Sequence, residues 1–211
     1  MTVWDKIYRD YQKNGQGWAT LGKDIHPFFK KFFRQSKFKN KMVLDLGCGE
    51  GKYLRLLDQF GFTVLGIDSS KTAVKMANQV LAGKSRAKLS DIYRYQIPKN
   101  KFGLVISIRA LHHADKQKVK KLIDSIYFSL VPGGKIFITL PDISGVDKWR
   151  TFQKGRVNVA KGVFIPTVGP EKGLVHSFYS QAEILKLFSK FKKLKLVIKD
   201  KTAQWFITAV K

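Results

Sequence analysis

Nine residues, Val43-Leu44-Asp45-Leu46-Gly47-Cys48-Gly49-Glu50-Gly51, constrain this chain more than any others. An apolar run reaches an aspartate, glycines follow at alternate positions, and Tyr53, Leu54, Leu56, Leu57 and Phe60 then recur at helical spacing. That order spells strand, tight turn and helix, the unit with which α/β folds hold a nucleotide-type ligand. The dinucleotide pattern G-x-G-x-x-G is excluded, because its third glycine would fall on Lys52. A phosphate loop of the Walker type fails as well: Gly83-Lys84-Ser85 has Asn78 where the leading glycine belongs. Asp45, just before the turn, repels a pyrophosphate and suits a ligand that brings positive charge and no phosphate.

Further along, Phe62 to Ile67 reads as a second buried strand ending in Asp68-Ser69-Ser70. An acidic residue about 20 residues past a glycine turn is placed to accept hydrogen bonds from ribose hydroxyls. Ser70 or Ser69 caps a helix carrying Ala73, Val74, Met76, Ala77, Val80 and Leu81. Ala87-Lys88-Leu89 is a weaker third strand, and Phe102 to Ile108 has the continuous apolar character of a central parallel strand. Lys116 to Leu130 follows as a helix, Val131-Pro132-Gly133-Gly134 stops it, and Lys135 to Leu140 is the fifth strand. Ser180-x-x-Glu183 is a capping box, and Leu194, Leu196 and Ile198 alternate along a strand that turns at Asp200-Lys201 into a last one over 203–210.

With an acidic residue followed by G-x-G-x-G from Asp45 to Gly51, the chain resembles the class I S-adenosylmethionine-dependent methyltransferases, of the methyltransferase type 11/25 kind. The segment "LVPGGKIFI" resembles the corresponding family segment, and the likeness runs from about Met42 to the C-terminus. It implies an α/β, Rossmann-like, seven-stranded and mostly parallel sheet with helices on both faces and a C-terminal antiparallel hairpin. It implies S-adenosylmethionine as cofactor, whose ammonium and sulfonium suit Asp45. Asp91 matches the family's acidic residue facing the adenine amino group, and Ile92 the apolar neighbour packing on the ring. The cofactor-binding candidates are therefore Asp45, Gly47, Gly49, Gly51, Asp68, Ser69, Asp91, Ile92 and Ile108. Family members often carry an acidic residue where this chain has Gly103, a departure that leaves the chemistry untouched.

Two further segments are expected to serve the acceptor. Residues 1–40 form a helical lid or cap, with Trp4, Ile7, Tyr8 and Tyr11 on one helix face and Tyr8 and Trp18 as lid candidates. In a second helix Phe28, Phe29, Phe32 and Phe33 are assigned to the core, leaving Lys30, Lys31 and Arg34 as a phosphate face. The methyltransferase domain spans 41–211, and its rhythm breaks at about 141–175, a stretch of prolines, glycines and the bases Lys148, Arg150, Lys154, Arg156 and Lys161. A connection this long inside a compact domain is functional or mobile, and it is expected to bind the acceptor.

The stretch from Ile106 to Asp115 resembles the acceptor-side motif of small-molecule methyltransferases and of wobble-uridine tRNA methyltransferases. No Asn- or Asp-Pro-Pro-aromatic run and no Pro-Cys pair occurs, which argues against methylation of exocyclic amines of DNA bases and against covalent pyrimidine C5 chemistry. A base is needed only if the acceptor must lose a proton, and histidine suits that role. His113 and His176 are the catalytic candidates, His112 is read as structural, and no metal is expected because the histidine spacing does not suggest one.

Charge separates the remaining readings. The 211 residues carry a formal net charge of +25, which favours an anionic partner such as RNA, or reflects a lysine-rich surface with no partner. The single cysteine, Cys48, excludes an intrachain disulfide and, with no leader or membrane-length apolar run, leads to the expectation of a cytoplasmic protein. The expected reaction is methyl transfer to an O or N atom of a small metabolite. The alternatives are an RNA methyltransferase of the tRNA type and a non-catalytic cofactor- or RNA-binding protein on the same fold.

Overall fold

The computed structural model describes residues 2–14, 25–83, 85–199 and 203–211. Helices α1 (Val3–Asn14) and α2 (Pro27–Gln35) precede β1 (Met42–Leu46) and α3 (Lys52–Gln59). Then come β2 (Thr63–Asp68), α4 (Lys71–Gln79), β3 (Arg86–Leu89), β4 (Phe102–Ser107), α5 (Lys116–Ser129) and β5 (Leu130–Pro141). A 3₁₀ helix (Ile143–Lys148), α6 (Arg150–Gln153), β6 (Arg156–Ala160), β7 (Val163–Pro166) and β8 (His176–Ser177) fill the long connection. The chain closes with α7 (Gln181–Leu187), β9 (Lys192–Lys199) and β10 (Gln204–Val210).

The main sheet has the order β3-β2-β1-β4-β5-β10-β9. Its first five strands are parallel, and β10 runs antiparallel to both β5 and β9. Strand order reverses beside β1, since β2 and β3 lie to one side and β4 to the other. That switch point opens a crevice at the C-terminal ends of β1 and β4, where open α/β sheets bind ligands. Alternation along the strands feeds two cores. Leu44, Leu46, Val105, Ile136 and Ile138 pack with Val119, Ile123 and Ile126 of α5 and Ile184 of α7. Val43, Leu104, Ile106, Phe137 and Phe206 pack on the opposite face with Phe29 of α2, Leu54 and Leu57 of α3 and Ala77 of α4. Phe29 is fully buried against Tyr53 and Phe137, as the aromatic stripe of α2 predicted.

Three local features differ from the sequence expectation. α4 ends at Gln79, so Val80 and Leu81 lie beyond it, and Val80 is exposed. β5 starts at Leu130, ahead of the Pro-Gly-Gly stop: Leu130 pairs with Phe102, and pairing resumes only at Lys135 opposite Leu104. Because one strand edge has a partner on both sides of the turn residues, the helix stop and the strand start coincide. The connection over 141–175 is not an open loop. It forms, with β8, a three-stranded antiparallel sheet in the order β6-β7-β8, with its own small core of Val146, Phe152, Phe164 and Phe178. Arg156 is held there by Asp147 at 2.6 Å and lies over the Phe164 ring, so it serves the subdomain itself. The terminal hairpin forms as expected, though Asp200-Lys201 lies outside the described residues, as do Gly15, Gly17 and Trp18.

Gly103 has a steric reason. A Cβ at this position would overlap the carbonyl oxygen of Asn40, whose side chain accepts from Met42 N–H and donates to the Lys101 carbonyl. The segment before β1 is thus laced to the start of β4, and a carboxylate side chain has no room there.

Candidate active site

The glycine turn is built from backbone that only glycine adopts cheaply. Gly47, Gly49 and Gly51 have φ of +77°, +55° and +85°. A Cβ on Gly47 would overlap Ala110 Cβ, and one on Gly49 would overlap the Tyr8 hydroxyl. Asp68, at the end of β2, locks the turn: its carboxylate accepts from Gly49 N–H and Ser70 N–H, each at 2.9 Å. Ser70 then caps α4 by accepting from Ala73 N–H. These elements line one cavity of about 630 Å³, within the range of small-molecule and cofactor sites.

Asp45, Gly47, Gly49, Asp68, Ser69, Asp91, Ile92 and Ile108 all line this cavity. Gly51 does not. It precedes α3, and a Cβ on it would stand 2.9 Å from Ala77 Cβ, so the residue lets α3 and α4 approach each other. Cys48 is buried in the turn, and burial pushes its thiol up, away from nucleophile chemistry.

The cavity floor is acidic in a strongly basic chain. Asp45 and Asp68 are both buried, and burial raises both carboxyls above the usual range, Asp45 further because Asp68 repels a second negative charge. Two crowded carboxylates of this kind are relieved by a cationic ligand and opposed by a phosphate.

α1 covers one side of the site. Tyr8 is buried with its hydroxyl over Gly49, and Tyr8 and Trp4 both line the cavity. The helix is anchored by Asp5, whose Oδ1 accepts from Ser70 Oγ–H at 3.1 Å and Thr72 N–H at 2.9 Å. The bond from Thr72 N–H holds the Asp5 carboxyl below its usual range. Because that pKa is depressed on folding, the anchor is complete above about pH 4 and is lost as pH falls through the folded value. Asp5→Ala is expected to speed tryptic cleavage at Lys6 and Arg9 by about tenfold, since two hydrogen bonds to a charged group are worth more than 1.4 kcal/mol. Limited proteolysis near neutral pH followed by mass spectrometry checks this.

On the acceptor side, β4 runs into Arg109, a non-glycine residue at φ +57° whose N–H donates to Thr139 Oγ1. His112 and His113 follow. The three-stranded sheet returns His176 to them, because Ser177 N–H donates to the His112 carbonyl and Ser177 Oγ–H to the Ala114 carbonyl. The ring centroids of His112 and His113 are 4.0 Å apart, and those of His113 and His176 are 4.6 Å apart. Burial pushes His112 and His113 well below the usual histidine range, so both are neutral at pH 7. His113 lines the cavity beside Trp4 and Leu174, whereas His176 is fully buried and does not. Leu174 is the one cavity-lining residue of the 141–175 connection among those described.

Sequence reasoning missed Arg109, Tyr53, His26, Gln204 and Phe206, which also line the cavity. Only Arg109 had an available signal, its place directly after the fourth strand. The others arrive from α2, α3 and β10, which read as ordinary core elements.

Residues 43–134 match the family model described as a methyltransferase domain. The chain is 32% identical over 104 residues to phosphoethanolamine N-methyltransferase of Plasmodium falciparum, covering 48% of this chain and 39% of that protein. It is 26% identical over 161 residues to probable tRNA methyltransferase 9B of Homo sapiens, covering 76% of this chain and 32% of that protein. The chain thus spans about a third of the length of these curated relatives. In fold it is similar to the PH0226 protein of Pyrococcus horikoshii, with TM-score 0.75 at 16% identity over 100% of this chain and 99% of that one. It is likewise similar to an S-adenosylmethionine-dependent methyltransferase of Mesorhizobium loti, with TM-score 0.68 at 18% identity over 90% of this chain and 100% of that one. The glycine turn, the strand order and the match over residues 43–134 agree in identifying a methyltransferase domain within this chain.

Proposed function

We propose that this protein transfers a methyl group from S-adenosylmethionine to an O or N atom of a small metabolite held between the glycine turn and the histidine cluster. The observation that carries this reading is the acidic cavity in a chain of net charge +25. Asp45, Asp68, Ser69, Asp91 and Ile92 all line the cavity; in this reading Asp45 and Asp68 suit the cationic cofactor, Asp68 with Ser69 would take the ribose hydroxyls, and Asp91 with Ile92 would frame the adenine. In the reaction the acceptor atom attacks the methyl carbon in line as the carbon–sulfur bond breaks, leaving neutral S-adenosylhomocysteine. The cofactor supplies the reactive carbon, so the chain mainly orients the acceptor and excludes water. α1 acts as the lid over that space, and an acceptor that must lose a proton meets the histidine cluster at His113. His176 acts on it only through His113.

A second reading, methylation of RNA, is favoured by one feature. Lys30, Lys31 and Arg34 of α2 line a shallow groove with Pro27, and Pro27 also lines the main cavity. A polyanion bound along α2 would reach the same methyl group, with strongly salt-dependent affinity. Transfer of labelled methyl from S-adenosylmethionine into a cell extract, split into RNA and small-molecule fractions, decides between them. Label in ribonuclease-resistant small molecules is the expected result. Label in RNA that ribonuclease releases would establish the second reading, and no label in either fraction would overturn both.

A further inference from the structure

We propose that His112, His113 and His176, with Glu171, form a binding site for one divalent transition-metal ion of the zinc type on the acceptor wall of the cavity. This inference does not depend on methyl transfer. One ring nitrogen from each histidine lies within 4.8 Å of the others. Two nitrogens on one zinc at about 2.0–2.1 Å sit roughly 3.3 Å apart in a tetrahedral site, so side-chain rotations that close the widest pair by about 1.5 Å complete it.

The hydrogen bonds around the rings point the same way. His176 Nδ1 is 3.0 Å from the Leu174 carbonyl, and His113 Nε2 is 3.3 Å from the Arg109 carbonyl. A carbonyl only accepts, so each of these nitrogens carries a proton, and in a neutral ring His176 Nε2 and His113 Nδ1 are the nitrogens left to ligate. Those two atoms, and His112 Nδ1, are buried without a hydrogen-bond partner among the described residues. Backbone carbonyls that hold the far ring N–H and leave the near nitrogen free are the usual support of a metal-ligating histidine. Leaving buried polar atoms unpaired is costly otherwise.

Glu171 supplies charge. It is buried, and its Oε2 is 3.3 Å from His176 Nε2. Three imidazoles, with the Glu171 carboxylate beside one of them as counter-charge, suit zinc and its late first-row neighbours and not magnesium or calcium, which prefer oxygen. Because His113 lines the cavity, an ion held there stands beside the acceptor space, and its Lewis acidity replaces the imidazole as the group that acts on an acceptor oxygen.

The test uses the untagged 211-residue chain, freed of metal by a chelator and titrated with Zn²⁺ against a chromophoric competitor. One Zn²⁺ per folded chain is expected. His113→Gln, at the half-buried member of the cluster, should weaken binding by at least about 100-fold, and Glu171→Gln by about tenfold. His26→Asn, which changes the fourth and last histidine and keeps a capping side chain, should leave it unchanged. Circular dichroism confirms that each variant is folded, and Co²⁺ in place of Zn²⁺ should give visible d–d bands that His113→Gln removes. No stoichiometric binding by the folded protein, or equal affinity in His113→Gln, overturns the proposal. Neither outcome bears on the methyl-transfer assay, which reads a different property.

Discussion

Replacing Asp68 by alanine is expected to weaken S-adenosylmethionine binding by about 100-fold or more, while Lys118→Ala leaves it within about twofold. The Asp68 carboxylate carries two tasks. It accepts from Gly49 N–H and Ser70 N–H, which fixes the glycine turn against the start of α4, and it lines the cavity where the ribose is expected. A hydrogen bond to a charged group is worth about 1.5–3 kcal/mol, so losing two ribose bonds alone exceeds 2.8 kcal/mol, or two decades in affinity. The orphaned Gly49 and Ser70 N–H groups add a structural loss in the same direction. Lys118 lies in the first turn of α5, paired with Asp115 and away from the cavity. Isothermal titration with the cofactor checks the pair, and equal effects would remove Asp68 from the binding site.

Gly103→Ala should produce the largest loss of stability of any single methyl added to the sheet, about 3 kcal/mol on the scale of overpacked cores. The new Cβ meets the Asn40 carbonyl, which is backbone and cannot rotate away, and Asn40 is itself held by Met42 N–H and the Lys101 carbonyl. Either β1 and β4 separate locally or the segment before β1 lifts off. For a domain of this size that corresponds to a fall in Tm of about 6–12 °C, measurable by thermal unfolding followed by circular dichroism. A fall of less than about 2 °C would show that the segment before β1 shifts freely. The same clash explains why an acidic side chain at this position, common in the family, is absent.

Strand, turn and helix around Asp45 to Gly51 were legible because each depends on neighbours within about ten residues: alternation, alternate glycines and an i, i+3, i+4 apolar face. Ser70 and the Ser180–Glu183 capping box were legible for the same reason, and both form as their spacing predicts. Asp68 could be placed because the length of one helix and one strand sets the distance from a glycine turn to the next strand end. The start of β5 at Leu130, five residues before the expected Lys135, was not legible, because it depends on Leu130 pairing with Phe102 ahead of the Pro-Gly-Gly turn.

What stayed hidden are meetings between residues far apart in sequence. Asp5 reaches Ser70 and Thr72, Gly103 lies against Asn40, and His176 joins His112 and His113 across a subdomain that sequence suggested only as an irregular insertion. No periodicity records such pairs, since each side is locally an ordinary helix, strand end or loop. The sequence by itself determined the α/β alternation, the cofactor turn and the candidates around it, because those rest on short-range sterics and spacing. Only the tertiary structure decided which side chains face one another across the cavity. That depends on the strand order and on where β8 docks, through Ser177 against the His112 and Ala114 carbonyls, with chain more than sixty residues away.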